Sequence, residues 1–520
     1  MPTARSRRGA TSMSHRPNVL LIMCDQLSAH VLGCYGGPVP TPHINRLAHD
    51  GVVFTDATCP WPVCTPSRAS VVTGLYPHTH GICHNMHRVE NPGYFGGVVS
   101  PSQEGLHPDD VTTEGLLKSA GYQTYHYGKW HLTDEPSQIY ADMFGEHLHY
   151  GKSMAGVFSQ ARERPRDTWM DWYGWSLPVQ VAPAVRGAVA RVGSGWNDTK
   201  HAELVRKIGR LELPLEKTFD YHVASRTCDR MAGLGPEPFM VTCSFLWPHD
   251  PNVVPSPYYD SFDPDRLELP DNWDHRAIRF ENEWSRRIVR DFGEAATREF
   301  LRIYYASVAL IDDQVGRVLD ALEATGRAHE TLVIFTADHG DMVGGHGMVW
   351  KSTSAFYDEV ARVPLILSFP GHIQPGRSAI AANLVDLMPT LLDFTGTAIP
   401  PGVQGHSLAP FIRGEQPNEH APRYSFSERI RKHPTSRDQF ALAHESREIN
   451  TDVTGDFMVR GQGWKYFVYA DGEEFLFNLA DDPGETHNLA TDPARHVPLD
   501  LLRSQVHKWL VTTGFPGRHP

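Results

Sequence analysis

Residues 17–26 read PNVLLIMCDQ, an apolar run from Val19 to Met23 that breaks off at Asp25. A run this short between polar residues fits a strand buried on both faces; it falls far below the roughly 20 apolar residues of a membrane helix. It is also too short for the apolar segment of a secretory signal. Asn18–Cys24 is therefore predicted to be the first core strand. The same form recurs at Gln123–Tyr127, Phe239–Leu246, Thr331–Thr336 and Leu365–Phe369, with helical stretches between. Such alternation predicts an α/β fold: a large mixed, mostly parallel sheet flanked by helices, with a smaller C-terminal α+β module.

The residues just past each run carry the functional information. Asp25, Lys129 with His131, His249, and Asp338 with His339 all stand there. Open α/β sheets gather their ligand-binding groups at the carboxyl ends of such strands.

The connecting segments divide the chain. Thr41-Pro42 is expected to cap a helix through Ile44, Leu47 and Ala48, with Gly51 at its end and a strand over Val52–Ala57. The 3 to 4 spacing of Phe300, Ile303, Tyr304, Val308, Ile311, Val315 and Leu319 predicts a long helix over Glu294–Thr325, with Asp312-Asp313 on its polar face. Residues 150–235 fit the alternation poorly and crowd Trp169, Trp172, Tyr173, Trp175 and Trp196 together; they read as an insertion near the site. Aromatic residues there could stack on a sugar or cage a quaternary ammonium, or be ordinary core. Turns at Gly461–Gly463 and Asp471-Gly472 and a final helix around Leu499–Val511 mark the C-terminal module. The expected division is a disordered leader over 1–15, a catalytic domain over 16–415 and a C-terminal subdomain over 416–520.

A net charge of -13 across 520 residues argues against a nucleic-acid partner, although a local basic pocket could still hold a small anion. The 40% hydrophobic and 21% charged content is that of a globular chain with no membrane span. Seven scattered cysteines, without CxxC spacing, indicate neither a disulfide framework nor a structural zinc site. A cytoplasmic location is expected, and the oligomeric state stays open, a homo-oligomer included.

One of those cysteines stands in PVCTPSRASVVTG, residues 62–74. Pro66 suits a first helical turn and Gly74 an exit, so Cys64 falls at a helix N-terminus, where free N–H groups favour an anion. That spacing alone leaves open a buried packing cysteine and a functional one. Cys64-Thr65-Pro66-Ser67-Arg68 with Thr73-Gly74 resembles the signature of the type I sulfatases, of the alkaline phosphatase superfamily. PNVLLIMCDQ, GKWHL, PHDP, FTADHGDMVGGHG and DDPGETHNL follow that family's order along most of the chain.

The resemblance implies a sulfuric ester hydrolase in which Cys64 is oxidised to formylglycine by a formylglycine-generating enzyme. One hydroxyl of the aldehyde hydrate attacks sulfur, the alcohol leaves, and the second hydroxyl collapses to expel sulfate. It implies one divalent cation on Asp25, Asp338, His339 and position 64, with Gln26 as a weaker candidate. Calcium comes first, with manganese or magnesium as alternatives. Arg68 would hold the hydrate, Lys129 and Lys351 the sulfate oxygens, His131 would take a proton, and His249 would donate one to the leaving oxygen. Asp25-Gln26 and Asp338-His339 depart from the Asp-Asp and Asp-Asn pairs of many sulfatases; they resemble the branch of bacterial choline sulfatases and phosphonate monoester hydrolases. The implied substrate is a small-molecule or glycan sulfate ester. A phosphonate or phosphate ester hydrolase is one alternative, and a non-catalytic binder of sulfated glycans another. Asp25 as a strand-end cap, ADHG as a turn and YPHTHG as a loop are the purely structural readings.

Overall fold

The computed structural model describes residues 16–85, 105–107, 109–132, 146–149, 178–192, 207–275, 278–280, 284–352, 355–432 and 453–517. Asn18–Asp25 (β1) is buried along its whole length. Its side chains alternate between two cores, as the two-residue repeat of a strand requires. Leu20, Ile22 and Cys24 join Val223, Phe300 and Tyr304 on one face, while Val19, Leu21 and Met23 join Leu117, Met388 and Leu391 on the other. Covered on both sides, the strand must be apolar throughout, which is why it reads as an unbroken run.

The remaining strands among the described residues, in chain order, are β2 (Val52–Phe54), β3 (Gln123–Gly128), β4 (Glu146–His149), β5 (Val179–Val181), β6 (Gly209–Leu211), β7 (Phe239–Pro248), β8 (Val253–Pro255), β9 (Thr331–Ala337), β10 (Leu365–Ser368), β11 (Gly376–Ser378), β12 (Ser425–Lys432), β13 (Thr454–Gly461), β14 (Trp464–Val468) and β15 (Glu474–Asn478). Eight of these form the main sheet in the order β11-β2-β10-β9-β1-β7-β3-β4, and only β10 runs against its neighbours. The four adjacent parallel strands β9, β1, β7 and β3 therefore open their carboxyl ends side by side. Gly128 ends β3 at φ 105, and a Cβ there would lie 1.8 Å from the Ser244 carbonyl oxygen, so only glycine lets the chain turn toward Lys129.

The long helix is present as Glu294–Ala324. Asp312 does not lie on its polar face: it is buried and accepts hydrogen bonds from the backbone N–H groups of His43 (3.1 Å) and Ile44 (2.8 Å). It thereby caps the Pro42–His49 helix, a task expected of Thr41, whose hydroxyl is instead taken by Gly33 N and Asn45. YPHTHG is likewise no plain loop. Pro77–His80 is a helical turn, and His78 Nδ1 meets the buried Glu428 carboxylate at 2.7 Å. Within the 150–235 segment, Phe219–Ala232 is a regular helix packed on β7 and on the long helix.

The C-terminal module is the antiparallel sheet β12-β13-β14-β15. One face, with Phe457, Val459 and Tyr466, packs on Leu502, Val506 and Trp509 of the His496–Thr513 helix. The opposite face, with Met458, Phe467 and Phe477, packs on Met342, Met348 and Tyr357, in the segment that follows β9 and carries Lys351. Among the described residues no helix is long and apolar enough to cross a membrane.

Candidate active site

Cys64 opens a fully buried helix, Cys64–Thr73, which follows the extended Val63 and ends on Gly74 at φ 67. Pro66 costs the first turn nothing, and the left-handed glycine ends the helix without strain. Cys64 thus sits at the mouth of the four parallel strands. Its Sγ lies 3.2 Å from His339 Nε2, 3.5 Å from Asp25 Oδ1 and 3.5 Å from Lys351 Nζ. His131 and His249 also stand beside the thiol and interact with it electrostatically. The ligand atoms of Asp25, Cys64, Asp338 and His339 all lie within 4.8 Å of one another, and all four residues are buried.

Every site residue expected from the sequence is brought to this place. Lys129 Nζ pairs with the Asp25 carboxylate. Lys351 Nζ reaches Gln26 Oε1 at 3.0 Å and His249 Nε2 at 2.8 Å. Arg68 Nε donates to Asp338 Oδ2 at 2.7 Å, while its Nη1 donates to the Lys129 carbonyl and to Ser244 Oγ. The second terminal nitrogen of Arg68 is buried and, among the described residues, has no partner. Thr65 Oγ1 donates to the His131 carbonyl (3.1 Å) and Ser67 Oγ to the Asp338 carbonyl (2.6 Å), tying the Cys64 helix to two of the site's loops. Trp169, Trp172, Tyr173, Trp175 and Trp196 lie outside the described residues.

The backbone is strained where these groups converge. Gln26 (φ 63), His131 (φ 61) and Trp350 (φ 61) are non-glycine residues in the left-handed region, beside or among the candidate residues. Each such residue costs on the order of 1–3 kcal/mol and persists where its surroundings fix it.

The electrostatics follow from burying charges of both signs. Burial alone would raise the Cys64 thiol, but Lys129, Lys351, His339 and His131 take it well below the usual thiol range. Burial also pushes the Asp25 carboxyl up, helped by Asp338 and Cys64. For Asp338 burial is outweighed by Arg68 and His339, which lower it. His131 is held down to about 4 by burial. For His249 the same penalty is overcome by Asp25 and Asp250, which raise it. Two buried carboxylates and an imidazole converging with a fourth group are a donor set that fits a divalent cation, which would relieve the repulsion between Asp25 and Asp338.

Three contributors escape a sequence reading. Ser244 supports Arg68, Tyr304 Oη donates to the Gln26 carbonyl, and Asp341 accepts from the Gln26 amide. Ser244 lies inside a buried strand and Tyr304 reads as apolar core. Only Asp341, two residues past His339, carries a usable signal.

A family model described as Sulfatase matches residues 17–397, most of the chain. The chain belongs to the sulfatase family. A second model, described as the C-terminal region of N-sulphoglucosamine sulphohydrolase, matches residues 344–511 of this sulfatase. An arylsulfatase of Clostridium perfringens is 28% identical to it, over 95% of this chain and 94% of that protein. A Delta 4,5-hexuronate-2-O-sulfatase of Bacteroides thetaiotaomicron is 29% identical, over 93% and 86%. The solved structure of a phosphonate monoester hydrolase of Agrobacterium radiobacter superposes with a TM-score of 0.70, covering 96% of each chain at 23% identity, a likeness of fold.

Proposed function

We propose that this sulfatase releases inorganic sulfate from a carbohydrate, aryl or small alkyl sulfate monoester, with Cys64 converted to formylglycine. The observation that carries the reading is the convergence of two carboxylates, two lysines, an arginine and three histidines on one buried cysteine at the start of a helix. The curated hexuronate-2-O-sulfatase relative supports a carbohydrate ester in particular. Hydrated, the formyl group supplies the attacking hydroxyl, and the Cys64 Sγ marks its place. Asp25, Asp338 and His339, with Gln26 and position 64, would hold one divalent cation, calcium first; a bound cation offsets the charge of the sulfate oxygens.

The chain's own side chains supply the rest. Lys129 and Lys351 bind the remaining sulfate oxygens, and Arg68 has a terminal nitrogen, unpartnered among the described residues, to offer the hydrate at position 64. His131 is uncharged at neutral pH and receives the proton from position 64. His249, raised by Asp25 and Asp250 against the opposing charge of Lys351, delivers a proton to the departing alcohol oxygen. Residues 16–415 carry this chemistry and 416–520 brace it. Maturation requires a formylglycine-generating enzyme acting on Cys64, and a cytoplasmic setting is part of the same proposal.

A phosphonate ester hydrolase is the second reading, favoured by the fold likeness. The hydroxyls of Thr65 and Ser67, which anchor the helix to the loops of His131 and Asp338, belong to the sulfate-type signature and weigh against it. Steady-state hydrolysis of an aryl sulfate and an aryl phosphonate by the matured enzyme separates the two. The expected result is a higher kcat/KM for the sulfate, abolished in Cys64→Ala. A preference for the phosphonate would overturn the reading; tight sulfate binding without release would make the protein a binder.

A further inference from the structure

Gln26 is fully buried at the end of β1, and nearly all of its polar groups are engaged. Its N–H donates to Asp338 Oδ1 (3.1 Å), and its carbonyl accepts from Tyr304 Oη (2.7 Å). Its side-chain amide bridges two unlike neighbours: Nε2 donates to Asp341 Oδ2 (2.7 Å) and Oε1 accepts from Lys351 Nζ (3.0 Å). The two ends of an amide have nearly the same shape, so packing cannot choose between them, whereas hydrogen-bond partners can. Flipped, the amide would set its N–H₂ against the Lys351 ammonium, donor to donor, and its oxygen against the Asp341 carboxylate, acceptor to acceptor.

Asp341 is built to make that choice. It is fully buried, and its other oxygen, Oδ1, accepts the Val343 N–H at 2.8 Å, which fixes the carboxylate plane. Both oxygens are acceptors, and both are used. We propose that Asp341 is a positioning residue that holds the Gln26 amide oxygen toward Lys351 and the cation-binding group Asp25, Asp338, His339 and position 64. This rests on reading that group as the sulfatase's cation site. It gives Gln26 a defined part in the site, one that depends on orientation as much as on identity.

Asparagine in place of Asp341 offers one oxygen for two donors. Either the Val343 N–H loses its acceptor, or the new amide turns its N–H₂ to Gln26 and invites the flip. Glutamate in place of Gln26 removes the orientation problem, because its two ends are alike, but it sets a second carboxylate against Asp341. Asp341→Asn should therefore act with opposite sign in the two backgrounds.

The test is calorimetric titration of chelator-stripped, full-length protein with Mn²⁺, for wild type, Asp341→Asn, Gln26→Glu and the double variant, with thermal midpoints alongside. With Gln26 present, Asp341→Asn is expected to weaken Mn²⁺ binding about 10- to 100-fold, the usual cost of losing a group that orients a ligand. In the Gln26→Glu background, the same substitution is expected to strengthen it. Equal losses in both backgrounds, the mark of a purely structural role, would overturn the proposal, as would unchanged binding in Asp341→Asn. Aryl sulfate turnover is read on the same wild-type preparation. Its absence, with the sign change intact, would overturn the aryl sulfate as a substrate and leave the Asp341 assignment standing.

Discussion

His131 shows how burial prepares a single side chain for its task. Held down to about 4 by loss of solvent, it stays an uncharged proton acceptor where an exposed histidine would already be charging. The same shift has a consequence for stability. An unfolded histidine titrates at about 6.5, so between that value and about 4 the unfolded chain binds the proton and the folded chain does not. His131 therefore contributes stability above about pH 6.5 that is lost as the pH falls toward about 4. His131→Gln should flatten the fall in thermal midpoint across this window and lower kcat about 10²- to 10⁴-fold with little change in KM. Parallel midpoint curves for the two proteins would contradict the assignment.

At the level of elements, the Pro42–His49 helix depends on a residue far away in the sequence. Asp312 takes the N–H groups of His43 and Ile44 from within the long helix. Asp312→Ala should cost about 1–2 kcal/mol in urea unfolding, the usual loss for a cap. Asp313→Ala, at an exposed neighbour, should cost little; equal effects would contradict the cap. This pairing also marks where sequence reading stops. Strands β1, β7 and β9 are legible because a strand covered on both faces must be largely apolar, whereas β3 (QTYHYG) is mixed in composition; the groups at the strand ends are legible because strand ends define the site. The cap is not, because Thr41 offers the local signal and nothing near Ile44 points to Asp312, 268 residues further on. Ser244, Tyr304 and the His78–Glu428 pair are hidden for the same reason. Cys64 needs no long-range information: its motif is contiguous, with Pro66 and Gly74 marking the two ends of the helix.

Across the whole molecule, the C-terminal sheet is bound to the catalytic unit through buried charge. Lys465 on β14 meets Asp358 and Glu485, each at 2.8 Å, and Arg460 on β13 meets Asp358 at 2.9 Å and also pairs with Asp56. Removing Lys465 takes the cation from Glu485 and leaves Asp358 to Arg460 alone, so Lys465→Met should destabilise the protein, by up to about 3–5 kcal/mol. Lys351 lies in the segment that packs against the same sheet, so activity should fall in the same transition. An earlier, separate loss of the C-terminal sheet would contradict that coupling. The network also sets an acid limit. For Asp358 burial is outweighed by Arg460 and Lys465, and its carboxyl stays well below the usual range. Its contribution is complete above the unfolded value of about 4 and is lost as the pH falls below it toward the folded value.

These scales meet at position 64, where sheet, helix and charge converge on one sulfur atom. The most direct measurement is the mass of the proteolytic peptide containing Cys64, from protein purified from its natural host, with an aldehyde-reactive tag as confirmation. The expected mass is that of formylglycine, in a preparation that releases sulfate from an aryl sulfate. An unmodified thiol in a preparation that hydrolyses the ester at the same rate would contradict the assignment of position 64 as the source of the nucleophile.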